Sequence, residues 1–317
     1  MMSFDAERYV HPSDRTALKS LKAIPGFSML TRGFMNIWNE RQYRILNMST
    51  RIRLGENQMP KYYDMLFPIC EKLGIEVPEL YLELDVNPNS YTQGDTRPFI
   101  VMTSGLLETI PDELVPTVLA HECGHIACRH ALFTTMGAMV INGMLLSFAK
   151  SAGLLSAPLQ VAFYYWMRCS EYSADRAAVL CDGSPEKMQE VCMRLAGWNK
   201  EISADASLDA FLAQAEDYRD MINDSKWNRT LEFMTLRRRS HPLMAVRAAE
   251  CTEWANSDLF RRILNGIPDS LPVGENRLYI VGSEKDTPEE KKQPGVFQAL
   301  KDFTSRFSND HRDSSDR

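Results

Sequence analysis

The chain has 317 residues, of which 44% are hydrophobic and 25% are charged, and this composition excludes a disordered or fibrous protein. Its 36 basic and 42 acidic residues give a net charge of −6, so nucleic acid is not expected as the main partner. Seven cysteines, an odd number in a long chain without a visible secretory signal, indicate reduced thiols and a cytoplasmic protein.

The first segment, residues 1–55, carries nine Arg or Lys residues against four acidic ones. Apolar residues recur here at helical spacing on both sides of Pro25-Gly26, so we predict a helical extension. Its apolar face either docks on the main body or meets a membrane surface as a basic amphipathic helix. Docking is the more common arrangement, because apolar stripes on helices usually face a core.

The central part of the chain, residues 56–283, is expected to form one domain of mostly α-helices with a small β-sheet, an α+β fold. A helix is predicted over residues 61–73, and strands are predicted over 79–84 and 99–103. Proline followed by acidic residues indicates another helix that starts at Pro111. The later predicted elements are helices over 160–181, 185–197, 206–223 and 242–263, and a short strand over 277–281.

Two uncharged stretches, residues 131–149 and 151–167, approach the length that spans a bilayer. Asn142, Pro158 and Gln160 interrupt them, which favours a buried helical hairpin over membrane insertion. Peripheral membrane contact through this hairpin, residues 131–167, or through residues 1–55 stays open as an alternative.

The last segment, residues 284–317, is expected to lie outside the central domain. It begins with a charged, proline-bearing linker and continues into a short amphipathic helix with phenylalanines on one face. This helix either docks on the body or contacts a partner, and the sequence does not choose between the two.

The motif that carries chemistry is His121-Glu122-Cys123-Gly124-His125. Histidines four positions apart lie on one face of a helix, so both imidazoles can bind the same Zn²⁺ ion. Zinc lowers the pKa of a water bound to it to about 7, and Glu122 is placed to take the proton as that water attacks a carbonyl. The motif therefore predicts metal-assisted hydrolysis rather than two structural histidines.

A catalytic zinc needs a third protein ligand, and Glu171 and Asp175 are candidates because they share one helix face in an apolar stretch. One carboxylate can bind the metal while the other accepts a hydrogen bond from the far nitrogen of a zinc histidine. His130 would turn about 140° away from His125 if the helix continued, and the nearby cysteines are expected to be packed thiols. Glu171 is therefore the preferred third ligand.

A further histidine, His241, precedes a predicted helix that carries Arg247. Hydrolysis builds negative charge on the carbonyl oxygen, and an imidazole or guanidinium aimed at that oxygen stabilises the transition state. Taken by itself, a histidine in this position is more often a surface-loop residue.

These motifs resemble, as an ordered set, those of the gluzincin metallopeptidases, which include the heat-shock protease HtpX and the CAAX prenyl endopeptidases. The resemblance covers about residues 60–250. It rests on Asn89-Ser90-Tyr91-Thr92, Ser104-Gly105-Leu106-Leu107, Glu113-Leu114, His121 to His125 with His130, Glu171 to Arg176, and Ser240-His241-Pro242 through Arg247. It implies a gluzincin fold and a zinc metallopeptidase catalytic domain over residues 56–283.

The resemblance also implies a role for each site residue. One Zn²⁺ ion per chain is assigned to His121, His125 and Glu171, with Glu122 as the general base. Three supporting roles follow, with Asp175 behind a histidine ligand, His241 at the oxyanion and Arg247 beside the active site. An edge strand of Asn89, Ser90, Tyr91 and Thr92 is expected to bind the substrate by strand addition.

The implied activity is hydrolysis of peptide bonds in extended or unfolded polypeptides, for example in protein quality control. HtpX-like members carry transmembrane helices before the zinc motif, and this chain is more similar to a soluble or peripherally attached branch. One alternative is a deformylase-like zinc amidase, although no Gly-Cys-Leu-Ser-type segment precedes the motif. The other is a non-catalytic, zinc-stabilised adaptor or chaperone. The oligomeric state is not predicted.

Overall fold

The computed structural model describes residues 3–37, 40–142, 156–236 and 243–268. In these ranges the helices are α1 (Ala6–Tyr9), α2 (Pro12–Lys22), α3 (Phe27–Ile37), α4 (Glu40–Thr50), α5 (Pro60–Tyr63), α6 (Leu66–Leu73), α7 (Ser104–Thr109), α8 (Val115–Ala127), α9 (Ala131–Ile141), α10 (Ser156–Asp182), α11 (Glu186–Leu195), α12 (Leu208–Asp224), α13 (Lys226–Leu236), α14 (Met244–Asn256) and α15 (Asp258–Leu264). The strands are β1 (Ile52–Leu54), β2 (Glu79–Glu83), β3 (Ser90–Gln93) and β4 (Phe99–Thr103). The predicted α+β class is confirmed.

The four strands form one sheet in the order β1-β2-β4-β3. Strands β2 and β4 run parallel, whereas β1 and β3 pair antiparallel with their neighbours. Every residue of β4 is buried, as expected for an inner strand that reads as a continuous apolar run. Strand β3 lies at one edge of the sheet, next to α8 and α9.

Helix α8 lies in the middle of the molecule between β3 and α10. Its residues are buried on every side from Val115 to His125, apart from Pro116, which is typical of a helix enclosed by other elements. The same core contains Leu119 and Cys123 of α8 and Ala178 of α10. The helix that bears the metal motif is therefore held rigidly by packing.

The N-terminal segment is joined to the central part of the chain. Strand β1 pairs with β2, and α2 packs along α10. A second apolar cluster combines α2 and α3 with α9 and α10 through Leu21, Leu30, Met136, Phe163 and Trp166. These contacts correspond to the docked arrangement of the segment, while the domain boundaries at residues 55 and 283 stay predictions.

The two uncharged stretches contribute α9 and the first half of α10. Both pack into the second apolar cluster, and the apex of the predicted hairpin lies outside the described residues. Among the described ranges, no helix combines the length and the apolarity that a bilayer crossing requires.

Three predicted helices differ from the structure at their ends or in their interior. The helix predicted over 61–73 is interrupted at Asp64, because Pro68 has no N–H to donate to the carbonyl four residues earlier. The helix predicted over 242–263 is divided at Ser257, whose side chain caps α15 by accepting from the Phe260 N–H. Regular helix begins at Val115 rather than at Pro111. The predicted strand 277–281 and the 284–317 tail lie outside the described residues.

Candidate active site

Three buried side chains converge between α8 and α10. The Nε2 atoms of His121 and His125 are 3.2 Å apart. Glu171 Oε2 lies 3.6 Å from His121 Nε2, and Glu171 Oε1 lies 3.5 Å from His125 Nε2. Two ligands at about 2.0–2.1 Å from one tetrahedral ion are separated by about 3.3 Å, so the three donors fit a single metal ion. Two imidazoles and a carboxylate are also a donor set that suits a catalytic Zn²⁺.

Asp175 and Arg247 lie behind the metal-binding cluster. Asp175 Oδ1 is 2.8 Å from His121 Nδ1, so a His121 that offers Nε2 to a metal donates its Nδ1 proton to this carboxylate. Arg247 binds Asp175 in a bidentate manner, at 2.8 Å from Nε to Oδ2 and 2.7 Å from Nη2 to Oδ1. Its Nη1 atom is 3.0 Å from Glu171 Oε2. One guanidinium therefore holds both carboxylates.

The buried charges of this group stabilise one another. Burial alone would raise the pKa of Asp175, but the positive charge and hydrogen bonds of Arg247, with the hydrogen bond of His121, lower it overall. Burial would lower the pKa of Arg247, and the two carboxylates raise it well above its ordinary value. The ion pair is therefore charged over the whole physiological pH range.

Glu122 is oriented by the two hydroxyl side chains of strand β3. Ser90 Oγ donates to Glu122 Oε1 at 2.6 Å, and Thr92 Oγ1 donates to Glu122 Oε2 at 2.7 Å. Side chains alternate along a strand, so Tyr91 points to the opposite face, where its hydroxyl contacts Arg51 and Glu83. Ser90 and Thr92 thus touch the expected general base itself, a contact that the sequence did not predict.

The remaining members of the predicted substrate strand are placed differently from Ser90 and Thr92. The backbone of Asn89 is tied to Thr103, whose hydroxyl accepts from the Asn89 N–H at 3.0 Å. Tyr91 packs with Tyr81 and Phe99 beneath the sheet. Substrate binding by residues 89–92 stays a prediction. The side chain of Tyr91 lies on the face of the sheet opposite to Ser90 and Thr92.

His130 contacts His125 and lies outside the group of three donors that could hold a metal ion. Helix α8 ends at Ala127, and Arg129 takes a left-handed conformation with φ 58°, so His130 does not continue the helix as the sequence-based estimate of its direction assumed. The reversal brings His130 Nδ1 to 2.9 Å from His125 Nδ1. The opposite nitrogen, His130 Nε2, is 2.8 Å from Asp14 Oδ2.

Asp14 is a site residue that sequence reasoning missed. It comes from α2, 116 residues before His130, and it is 2% exposed. Besides His130, it accepts hydrogen bonds from Ser173 Oγ at 2.6 Å and from Trp166 Nε1 at 3.0 Å. Burial would raise the pKa of Asp14, but His130, Ser173 and Trp166 together lower it. The predicted oxyanion residue, His241, lies outside the described residues.

The chain has recognisable relatives among known proteins. Residues 69–255 match the sequence profile of peptidase family M48. The chain is 30% identical over 262 residues to the plastoglobule-localized metallopeptidase 48, chloroplastic, of Arabidopsis thaliana, which covers 82% of this chain and 76% of that protein.

More distant relatives are two protease HtpX homologs. That of Ralstonia pickettii (strain 12J) is 24% identical over 50% of this chain and 63% of its own length, so this chain spans less than two thirds of that relative. That of Methylibium petroleiphilum is 22% identical over 56% of this chain and 71% of its own length. No solved structure matches the chain.

Proposed function

The chain belongs to peptidase family M48 and is a metallopeptidase, and on this basis we propose that it is a zinc-dependent endopeptidase that cleaves extended or unfolded polypeptides. The proposal depends above all on one observation: the donor atoms of His121, His125 and Glu171 all lie within 4.8 Å of one another. These residues would hold one Zn²⁺ ion per chain. Such an ion, when bound, supplies Lewis acidity that lowers the pKa of water and polarises a carbonyl oxygen.

The chain's own residues would handle the proton and the orientation of the ligands. Glu122 accepts the proton of the attacking water at a carboxylate oxygen and returns it to the leaving amine. Ser90 and Thr92 fix the direction of that carboxylate through their hydroxyl groups. Asp175 keeps the proton of His121 on Nδ1, so that Nε2 is free to bind the metal. His241 would stabilise the oxyanion, as the family resemblance implies.

The substrate proposal is supported by strand β3. Within the described residues, β3 pairs only with β4 and has no strand on its other side. An extended peptide can pair with such an edge through main-chain hydrogen bonds that do not depend on side-chain identity. Unfolded polypeptides offer this geometry and folded ones do not, which is why we also propose a role in protein quality control.

The direct test is cleavage of casein by the zinc-loaded wild type and by Glu122→Gln. We expect cleavage by the wild type only, with one zinc per chain in both proteins, because Glu122 moves a proton and does not bind the metal. Glu171→Ala should lower the zinc content. Cleavage by Glu122→Gln at the wild-type rate would remove Glu122 from the mechanism, and zinc binding without any cleavage would support the adaptor alternative.

The cleaved bond separates the peptidase proposal from the amidase alternative. A deformylase-like enzyme would release formate from a formylated peptide and leave casein intact. An endopeptidase would produce internal casein fragments, which mass spectrometry identifies by their new termini. Formate release without casein cleavage would therefore overturn the endopeptidase proposal while leaving the metal site in place.

We further propose that the protein associates with a lipid surface through α4. Three apolar side chains of this helix, Ile45, Leu46 and Met48, are 68%, 47% and 54% exposed, and Arg41 and Arg44 accompany them. A helix surface that combines apolar and basic residues suits an anionic membrane. The Arabidopsis relative is named as plastoglobule-localized, which supports a lipid surface as the partner.

Sedimentation with anionic phospholipid vesicles tests this association. The wild type should co-sediment with the vesicles, and an Ile45→Ser/Met48→Ser variant should remain in the supernatant. Its matched control is Met221→Ser, which changes an exposed apolar residue of α12 instead. Equal sedimentation of wild type and the α4 variant would contradict the proposal.

A further inference from the structure

We propose that Asp14, in the N-terminal segment, is a positioning residue for the metal ligand His125 and that it acts through His130. This inference rests on the proposed binding of a metal by His121, His125 and Glu171. It makes helix α2 a part of the metal centre, although α2 contributes no ligand.

The direction of each hydrogen bond follows from the position of the metal. His125 presents Nε2 to the other two donors, so its remaining proton is on Nδ1. That proton is donated to His130 Nδ1, 2.9 Å away, which must therefore be unprotonated. The proton of His130 is then on Nε2, from which it is donated to Asp14 Oδ2 at 2.8 Å. Asp14 thus fixes the tautomers of two imidazoles in sequence.

The arrangement is fully enclosed by protein. His130 and Asp14 are each 2% exposed, so water does not compete for their hydrogen bonds. Both oxygens of Asp14 are used, since Oδ1 accepts from Trp166 and Oδ2 accepts from Ser173 as well as from His130. The carboxylate is consequently held in one orientation, which in turn holds the ring of His130.

The other proposed histidine ligand, His121, also has a carboxylate behind it, without a second imidazole in between. His121 donates directly to the carboxylate of Asp175. His125 reaches a carboxylate only by way of an imidazole. Each histidine ligand is therefore backed by an anion, and such partners orient a ligand and increase its basicity toward the metal.

Replacement of Asp14 by asparagine would break this sequence of hydrogen bonds at nearly constant volume. With its amide nitrogen toward His130, the introduced asparagine would donate to Nε2 and force the proton of His130 onto Nδ1, opposite the N–H of His125. With its amide nitrogen toward Trp166, the same side chain would oppose the indole N–H. Neither orientation reproduces the bonds that the carboxylate accepts.

The experiment measures Zn²⁺ affinity by competition with a chromophoric chelator in the full-length protein. Asp14→Asn should bind Zn²⁺ about 10- to 100-fold more weakly than the wild type, the usual cost of removing a partner that orients a ligand. The matched control, Asp182→Asn, makes the same change at the last residue of α10, where the carboxylate accepts from Thr117. The visible absorption bands of the Co²⁺-substituted protein should change in Asp14→Asn and stay as in the wild type in Asp182→Asn.

A second variant separates positioning from folding. His130→Phe removes the acceptor for His125 directly and should weaken Zn²⁺ binding to the same extent. Adding Asp14→Asn to His130→Phe should then cost no further affinity, because the route from Asp14 to His125 is already interrupted. Thermal unfolding of each metal-free variant gives the fraction folded, to which every affinity is referred.

The outcomes distinguish the two proposals. A wild type that binds no Zn²⁺ contradicts the proposed metal site itself. A wild type that binds one Zn²⁺ tightly, with Asp14→Asn and His130→Phe both equal to Asp182→Asn in affinity, overturns the role of Asp14 and leaves the metal site intact. Losses that add in the double variant would also overturn it, since independent effects do not pass through His130.

Discussion

Gly124 of α8 lies directly against Ala177 of α10, so that a Cβ atom on Gly124 would be 2.6 Å from the Ala177 Cβ. The same atom would be 3.1 Å from the Ala174 Cα. This close approach brings the helix of His121 and His125 next to the helix of Glu171. The distances between the donor atoms of His121, His125 and Glu171 therefore depend on the small size of Gly124, which is not itself one of the donors.

Gly124→Ala is expected to destabilise the protein and to weaken metal binding. The added methyl group must push α8 and α10 apart, and overpacking of this kind costs about 1–3 kcal/mol. Urea unfolding of the metal-free protein measures the first effect, and chelator competition measures the second. Gly55→Ala is the control, because a Cβ on Gly55 meets no atom within 4 Å. Equal Zn²⁺ affinities for the two variants would contradict this account of the ligand spacing.

Loss of either β3 hydroxyl should slow turnover without loss of metal. A hydrogen bond to a charged group contributes about 1.5–3 kcal/mol, so Ser90→Ala or Thr92→Val should lower kcat by about 10-fold or more. Steady-state cleavage of a fluorogenic peptide, with zinc content measured in parallel, checks the result. Tyr91→Phe removes a hydroxyl from the opposite face of the same strand and should keep the wild-type kcat. A comparable drop in Tyr91→Phe would mean that the strand as a whole, and not its site face, is responsible.

Arg247→Met should lower the free energy of unfolding by about 3–5 kcal/mol, because it leaves the carboxylates of Glu171 and Asp175 buried without a counter-charge. Urea unfolding of the metal-free protein measures this change. Arg219→Met is the control, since Arg219 is 32% exposed where it pairs with Glu250 and Glu253, and such pairs contribute about 1 kcal/mol at most. Similar losses for both variants would argue against a special role for the buried pair.

Asp182→Asn should stabilise the protein at neutral pH. Burial raises the pKa of Asp182 above its ordinary value of 3.8, and Thr117, Lys187 and Lys72 offset this only in part. The folded state then holds the proton more tightly than the unfolded state. The stability of the wild type therefore falls as the pH rises from the unfolded-state pKa of Asp182 through its higher folded-state pKa. Asp182 is also the last residue of α10, where a negative charge opposes the helix dipole by about 0.3–1 kcal/mol.

The gain from Asp182→Asn should therefore be present at pH 7 and vanish below about pH 4, where the wild-type carboxyl is protonated as well. Urea unfolding of both proteins between these pH values gives the difference. Asp112→Asn serves as the opposite control, because the hydrogen bond from Lys61 lowers the pKa of Asp112. A stability gain that is the same at both pH values would show that the charge of Asp182 is not its cause.

The local part of the site could be predicted from the sequence. His121, Glu122 and His125 are fixed by helical periodicity alone, and the pair Glu171 and Asp175 is revealed by its position in an apolar stretch. The inner strand β4 was equally visible as a continuous apolar run. In each case the residues that act together lie on one helix, or the apolar sequence of a strand indicates that the strand is buried.

The non-local part could not be predicted. His130 lies outside the three converging donors, as expected, but its contact with His125 could not be predicted, because nothing in the sequence indicates the left-handed conformation of Arg129 that follows α8. Asp14 lies on another helix, and a single carboxylate on an amphipathic helix has no feature that marks it as buried. The contact of Ser90 and Thr92 with Glu122 depends on how a strand is seated against a helix, which only the tertiary fold decides.

Because side chains alternate along β3, the contact with Glu122 depends on which residues of the strand face α8. Ser90 and Thr92 meet Glu122 only because an even spacing separates them, while Tyr91 occupies the other side. Insertion or deletion of a single residue within β3 would exchange the two sides and present a phenol where two small hydroxyls now lie. The side chains of β3 can therefore be replaced by substitution, but a change in the length of the strand would remove both hydroxyls from Glu122.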